Sequence, residues 1–187
     1  MSLIALTTDP DPTVGSPSVL TSSAGFDPDG AAIRIQNADG EQLKSGSQHC
    51  NAGYDLRVGP LFRDHRNPRW QTLGSNDKIY MLPGTAVIIQ TEELVEFPKK
   101  CFGEIFPKVT LLDNGIANIT SKVDPGFHGH LRITVFNHGK QTVPLSRGDQ
   151  FCSLNVFDVR GLVRPYNNRK EDFGTGRSDH LGRTVRD

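Results

Sequence analysis

Asp124 stands at the lip of a tight turn, Asp124-Pro125-Gly126-Phe127-His128-Gly129, with an aromatic ring three residues further on. Pro125 fixes its own φ and Gly126 can take a conformation closed to other residues, so the carboxylate is aimed. A carboxylate fixed in this way can position water or a hydroxyl, or it can simply cap its own turn. The run that follows alternates. Leu131, Ile133 and Val135 point one way, and Arg132, Thr134 and Phe136 the other. The first set is core; the second, with a basic group, a hydroxyl and a ring, suits a pocket wall. Phe127 reads on residue type alone as core packing. His128, His130 and His138 invite a metal reading, but no Cys or acidic ligand pattern accompanies them. The zinc-deaminase pattern H-x-E with P-C-x-x-C does not occur in the sequence.

The elements that position these groups read as strands. Short apolar runs at 54–58, 79–82, 85–90, 103–106, 115–119, 131–136 and 151–157 are separated by Pro83-Gly84, Asp113-Asn114-Gly115, Pro125-Gly126, Asn137-His138-Gly139 and Arg147-Gly148-Asp149. Residues 92–97 could hold a turn or two of helix, and 31–36 a first short strand. Regular short strands of this kind imply a mostly β fold: a sandwich, jelly roll or distorted barrel. The expected organisation is an N-terminal arm over 1–50, rich in Ser, Thr, Pro, Asp and Gly, a β domain over 51–166, and a polar, Arg-rich flexible tail over 167–187.

Composition narrows the function classes. The 187 residues carry 21 basic and 21 acidic side chains, so no bulk attraction to nucleic acid or membrane is expected. No apolar run reaches membrane-spanning length, and the N-terminus reads without a secretory signal. Cys50, Cys101 and Cys152 are odd in number and widely spaced, which fits reduced thiols and a cytoplasmic location.

Several segments together resemble the dUTPase and dCTP deaminase superfamily. Ala52-Gly53-Tyr54-Asp55-Leu56 looks like its first motif, and Arg57-Val58-Gly59 continues it in the deaminase manner. Tyr80-Met81-Leu82-Pro83-Gly84 and Glu92-Glu93-Leu94-Val95-Glu96-Phe97-Pro98 are similar to the deaminase segment before the phosphate-binding motif. Asp124 to Gly129 looks like the third motif, Ser146-Arg147-Gly148-Asp149 like the next turn, and Arg164-Pro165-Tyr166-Asn167 with Arg169, Glu171 and Asp172 like the C-terminal segment. Number, order and spacing identify the chain as a member of the superfamily, closer to the deaminase branch. The resemblance implies a homotrimer of distorted β-barrels with dCTP or dUTP bound between subunits.

It also implies roles for particular residues. The pocket would be lined by Lys108, Thr110, Asp124, Phe127 and Thr134, with Tyr166 and Arg169 from the tail region. Metal-free deamination, which needs no cofactor, uses a glutamate base from the strand after the Asp-Pro-Gly turn. Its place falls on Thr134, which cannot act as a base at neutral pH. The preceding motif, Arg-Ser-Ser-Leu followed closely by Arg in the family, reads Lys108-Val109-Thr110-Leu111-Leu112-Asp113 here. Loss of a general base costs ~10²–10⁴ in rate. The alternatives are a rearranged deaminase in which Glu104 or another carboxylate substitutes, a dUTPase-like pyrophosphatase using Asp124 and Mg²⁺ carried with the triphosphate, and a non-catalytic relative binding a nucleotide or a partner. Under the dUTPase reading, Ser153 stands near a phosphate-contacting position and Phe173-Gly174-Thr175-Gly176-Arg177 is similar to the tail that covers dUTP.

Overall fold

Turn residues cut the chain where their types dictate. The computed structural model describes residues 19–20, 33–36, 49–50, 53–67, 69–119 and 121–159. Thirteen strands and one short helix lie in these residues: β1 (Val19–Leu20), β2 (Ile33–Gln36), β3 (His49–Cys50), β4 (Gly53–Asp64), β5 (Gln71–Thr72), β6 (Lys78–Met81), β7 (Ala86–Glu96), β8 (Cys101–Pro107), α1 (Val109–Leu112), β9 (Ile116–Asn118), β10 (Ser121–Val123), β11 (His128–Asn137), β12 (Val143–Ser146) and β13 (Gln150–Asp158). Gly84, Gly115, Gly126 and Gly148 take positive φ at the turns between them, as their punctuating role requires.

The architecture is mostly β, a continuous sheet curled into a distorted half-barrel. Its spine runs β1-β2-β7-β4-β13-β8-β10, with β11 on β7 and β9 on β11; β6 and β12 form a separate pair. The curl has a local cause in β4. Its first half pairs β13 at Tyr54, Asp55, Leu56 and Arg57, while its second half pairs β7 from Val58 onward through a register shift before Phe62. At the crossing a Cβ on Gly59 would lie 2.6 Å from the carbonyl of Gln90. Only glycine admits that approach, and Pro60, which lacks an N–H, ends regular pairing beside it.

Alternation decides the core. Leu131, Ile133 and Val135 on β11 are buried while Arg132, Thr134 and Phe136 are not, as the sequence pattern predicts. Tyr54, Leu56, Ile89, Val95, Phe97, Phe151 and Leu154 fill the interior. Ile33 and Ile35 are also fully buried, and Arg34 pairs Glu96, so the anticipated first strand joins the edge of β7.

Residues 92–96 correct an expectation. They continue β7 instead of turning into helix, although glutamate and leucine favour helix in isolation. Pairing with β2 and β11 along this stretch overrides that preference, and arginines neutralise the acids the strand buries. The single described helix, α1, lies where the sequence pattern gives no periodic signal, because four residues are too few to show one.

Candidate functional site

The third-motif turn closes a hairpin that does not stay zipped. β9 pairs β11 from Ile116 opposite Asn137 to Asn118 opposite Val135. Beyond that rung the arms part. β10 leaves to pair β8, with Val123 opposite Gly103, while β11 runs back along β7. Thr134 is the first β11 residue past the last rung, and Asp124 stands at the far end of the opening. Asn118 marks the fork with a buried Oδ1 that has no hydrogen-bond partner among the described residues. An orphaned buried acceptor costs ~1–3 kcal/mol, so a polar occupant of the fork would relieve it.

The tip of the fork is rigidly made. Phe127 N–H donates to the Asp124 carbonyl at 3.1 Å, and Phe97 N–H donates to the Phe127 carbonyl at 2.7 Å. Gly126 sits at φ 77°, the conformation its neighbours could not take. Asp124 is thereby held part-exposed, 3.0 Å from the ammonium of the exposed Lys122. The ring of Phe127 is 8% exposed and belongs to the core cluster, anchoring the turn from below.

Lys108 and Thr110 lie elsewhere. Lys108 is the extended residue preceding α1, and Thr110 is an exposed residue within it. The Lys108 ammonium is turned onto the buried carboxylate of Asp55, in the first motif on β4. Val123 opposite Gly103 puts Asp124 level with Phe102, six residues of β8 from Lys108. At ~3.3 Å per residue that is about 20 Å of strand. The chain therefore brings Asp124 and Thr134 to the two arms of one fork but holds Lys108 and Thr110 away from Asp124, beyond the far end of β8. Tyr166 and Arg169, with the rest of the anticipated tail, lie outside the described residues, as do most of the anticipated arm and Cys50's side chain.

Behind these groups β7 buries three acids in ion pairs. Glu93 is fully buried and accepts from Arg57 Nε at 2.7 Å and from Arg57 N–H at 2.9 Å. Burial raises its carboxyl above the usual range, with the Arg57 bonds opposing. Glu92 accepts from Arg147 at 2.8 Å, and Glu96 pairs with Arg34 and with His128 Nδ1 at 2.7 Å. His130 Nδ1 faces the carbonyls of Thr91 and Glu93 at 3.1 and 3.0 Å. His128 and His130 thus meet protein partners. Burial pushes the Cys101 thiol up to about 12 and raises that of Cys152.

Glu104, the conceivable substitute base, pairs Lys122 across β10 and Asn155 across β13. That places it on β8, between β10 and β13, with no pairing to β11, which carries Thr134. A group that sequence reasoning missed does lie on the face of Thr134: Trp70, with Arg63 and Arg132 over its ring. The lone tryptophan was the available signal, but strand pairing was needed to connect it with residues so far away.

Among the described residues no three His, Cys, Asp or Glu side chains are grouped to hold a metal ion. Mg²⁺ keeps several waters and commonly takes one or two carboxylates plus substrate phosphates. Asp124, the part-exposed carboxylate of the turn, offers one such donor.

Comparison with known proteins shows the family and the fold. The model of the dCTP deaminase-like family matches residues 28–159. A protein of Methanothermobacter thermautotrophicus named as a probable deoxyuridine 5'-triphosphate nucleotidohydrolase is 33% identical over 121 residues, covering 59% of this chain and 79% of that one. A dCTP deaminase of Thermococcus kodakarensis is 28% identical over 116 residues, covering 62% and 74%. The structure of native EIAV dUTPase superposes with a TM-score of 0.51 at 21% identity, covering 71% of this chain and 92% of that one, a likeness of fold.

Proposed function

The chain belongs to the dCTP deaminase-like family, and from that premise we propose that it binds a pyrimidine deoxynucleoside triphosphate, dCTP or dUTP, between the subunits of a homotrimer. The observation that carries the reading is the fork. A hairpin that could pair throughout instead opens at Thr134, with an aimed carboxylate at its tip and an unsatisfied amide oxygen at its base. The separation of Lys108 and Thr110 from that fork supports a pocket completed by a second copy, since symmetric oligomers repeat the same two surfaces. Val109, Leu112 and Ile119 are exposed apolar side chains around α1 and the end of β9, and a subunit contact there would cover them.

The chemistry follows from the groups present. Asp124 accepts hydrogen bonds from a sugar hydroxyl or a water. Thr134 donates or accepts one hydrogen bond at the base but removes no proton at neutral pH, so water activation by the family's usual route has no base in this strand. Lys108 supplies a point charge to phosphate once it leaves Asp55. Together these features support a dCTP deaminase-like binding protein whose deamination chemistry is altered.

The second reading, a dUTPase-like pyrophosphatase, is favoured by one finding: the relative at 33% identity is named for dUTP hydrolysis. In that case Mg²⁺ would come with the substrate and offset the charge of its phosphates, and Asp124 would orient the attacking water.

The test is to incubate purified protein with dCTP and with dUTP, each with and without Mg²⁺, and to measure binding in parallel. Binding of either triphosphate without conversion of dCTP is the expected result. Mg²⁺-dependent cleavage of dUTP would move the second reading to the front, and dCTP conversion would mean a substitute base exists. Asp124→Ala should weaken triphosphate binding by about tenfold or more, the scale of a lost charged hydrogen bond. Unchanged binding by that variant would show the pocket to be elsewhere.

A further inference from the structure

One buried carboxylate ties together the two strands that flank the end of β7. Arg34 on β2 and His128 on β11 both stand opposite Glu96, so the three side chains share one rung of the sheet and one of its faces. Glu96 is 4% exposed, and each of its oxygens has its own partner: Oε2 accepts from Arg34 Nε, and Oε1 from His128 Nδ1 at 2.7 Å. Burying a carboxylate without partners is costly, so both bonds hold the rung together. His128 is where the Asp124 turn enters β11. The same end of β7 fastens that turn twice more through the backbone. Phe97 N–H donates to the Phe127 carbonyl at 2.7 Å, and Gly126 N–H donates to the Pro98 carbonyl at 3.4 Å.

We propose that Glu96 is a positioning residue: with Arg34 and His128 it braces the Asp124 turn in the geometry that binds the triphosphate. The inference rests on the reading of that turn as part of a nucleotide site, and it extends the site to a strand lying across β7 from it. Pro125 and Gly126 fix the shape of the turn, but shape alone does not fix where the turn sits over the sheet. Nor does the rest of β11. Its ladder with β7 breaks at a register shift between His130 and Arg132, so residues 128–130 are not held in line by the strand beyond. The Glu96 rung pins this short stretch. Through Arg34 it passes the hold to β2, which Ile33 and Ile35 seat in the core. The His128 side chain is 59% exposed, so its half of the brace is a modest one and can be removed without emptying the core. Glu92 supplies a matched control, since it too is buried on β7 and paired to an arginine, but it reaches the turn at Arg147.

Amide hydrogen exchange on the full chain, with calorimetric titration by dCTP and by dUTP, tests the brace. In His128→Ala, exchange at Phe97, Gly126 and Phe127 should quicken about fivefold, and triphosphate affinity should fall by about as much. His128→Asn places an amide N–H where Nδ1 stood and should restore both. Arg34→Ala should show the same two changes, and Glu92→Gln neither. Unchanged exchange at the turn in His128→Ala overturns the proposal, as does His128→Asn behaving no better than His128→Ala. Quickened exchange with unchanged affinity also overturns it, provided that Asp124→Ala binds more weakly than the parent. Should Asp124→Ala bind as well as the parent, or the parent bind neither triphosphate, the nucleotide reading is what fails, and exchange alone decides the brace.

Discussion

Lys108 and Asp124 stand at opposite ends of β8, six residues apart by register, with Lys108 paired to the buried Asp55 and Asp124 to the exposed Lys122. Were one subunit a complete site, this placement would make no sense of either residue as a ligand for one nucleotide. Mixing inactive variants tests the alternative. Lys108→Ala and Asp124→Ala should each bind triphosphate poorly. Subunits mixed in equal amounts after unfolding and refolding should regain about a quarter of the sites, the fraction in which two intact halves meet in a symmetric assembly. Recovery is read by counting bound nucleotide, and no recovery in well-folded mixed oligomers counts against a shared site.

Under the proposed function Thr134 takes the place of the family's base, and its hydroxyl cannot act as one. Thr134→Ala should therefore change any turnover of dCTP or dUTP by far less than the ~10²–10⁴ lost with a general base. The comparison is of kcat for the two proteins. A loss on that scale would assign Thr134 a catalytic part that its chemistry does not suggest.

Glu93 offers a pH signature. Burial raises its carboxyl above the ordinary 4.5, and the bonds from Arg57 offset this only in part. A carboxyl raised on folding holds its proton more tightly in the folded state. Its contribution to stability is thus fully present below pH 4.5 and is lost as pH rises through the folded value. Glu93→Gln cannot titrate. Urea midpoints of the two proteins, measured across this range, should show the parent's advantage largest at the acid end and shrinking toward neutrality. An advantage that grows with pH would mean that the Arg57 pair outweighs burial.

Thiol reactivity reports on the interior. Cys101 and Cys152 are buried, and burial raises both thiols, that of Cys101 to about 12. Neither should be alkylated in the native protein at about pH 8, where too little thiolate forms, and both should react once urea exposes them. Peptide mapping by mass spectrometry distinguishes the sites. Rapid labelling of Cys152 without denaturant would show that the β4–β13–β8 layer opens locally.

Much of this protein is legible in residue types alone. Alternation along β11 gives its buried and outer faces, glycine and proline give its turns, and the aimed Asp124 follows from Pro125 and Gly126, because these are local properties of a chain. Order and spacing of short motifs identify the family. The acidic run in β7 is not legible in that way: strand pairing outweighs its helical preference, and the arginines that neutralise it come from β2, β4 and the turn before β13. Nor does the sequence give the fork at Thr134, the turning of Lys108 onto Asp55, or the meeting of Arg63, Trp70 and Arg132. Each depends on which strands lie side by side, and register is set by packing the whole sheet, so it is decided only when the chain has folded.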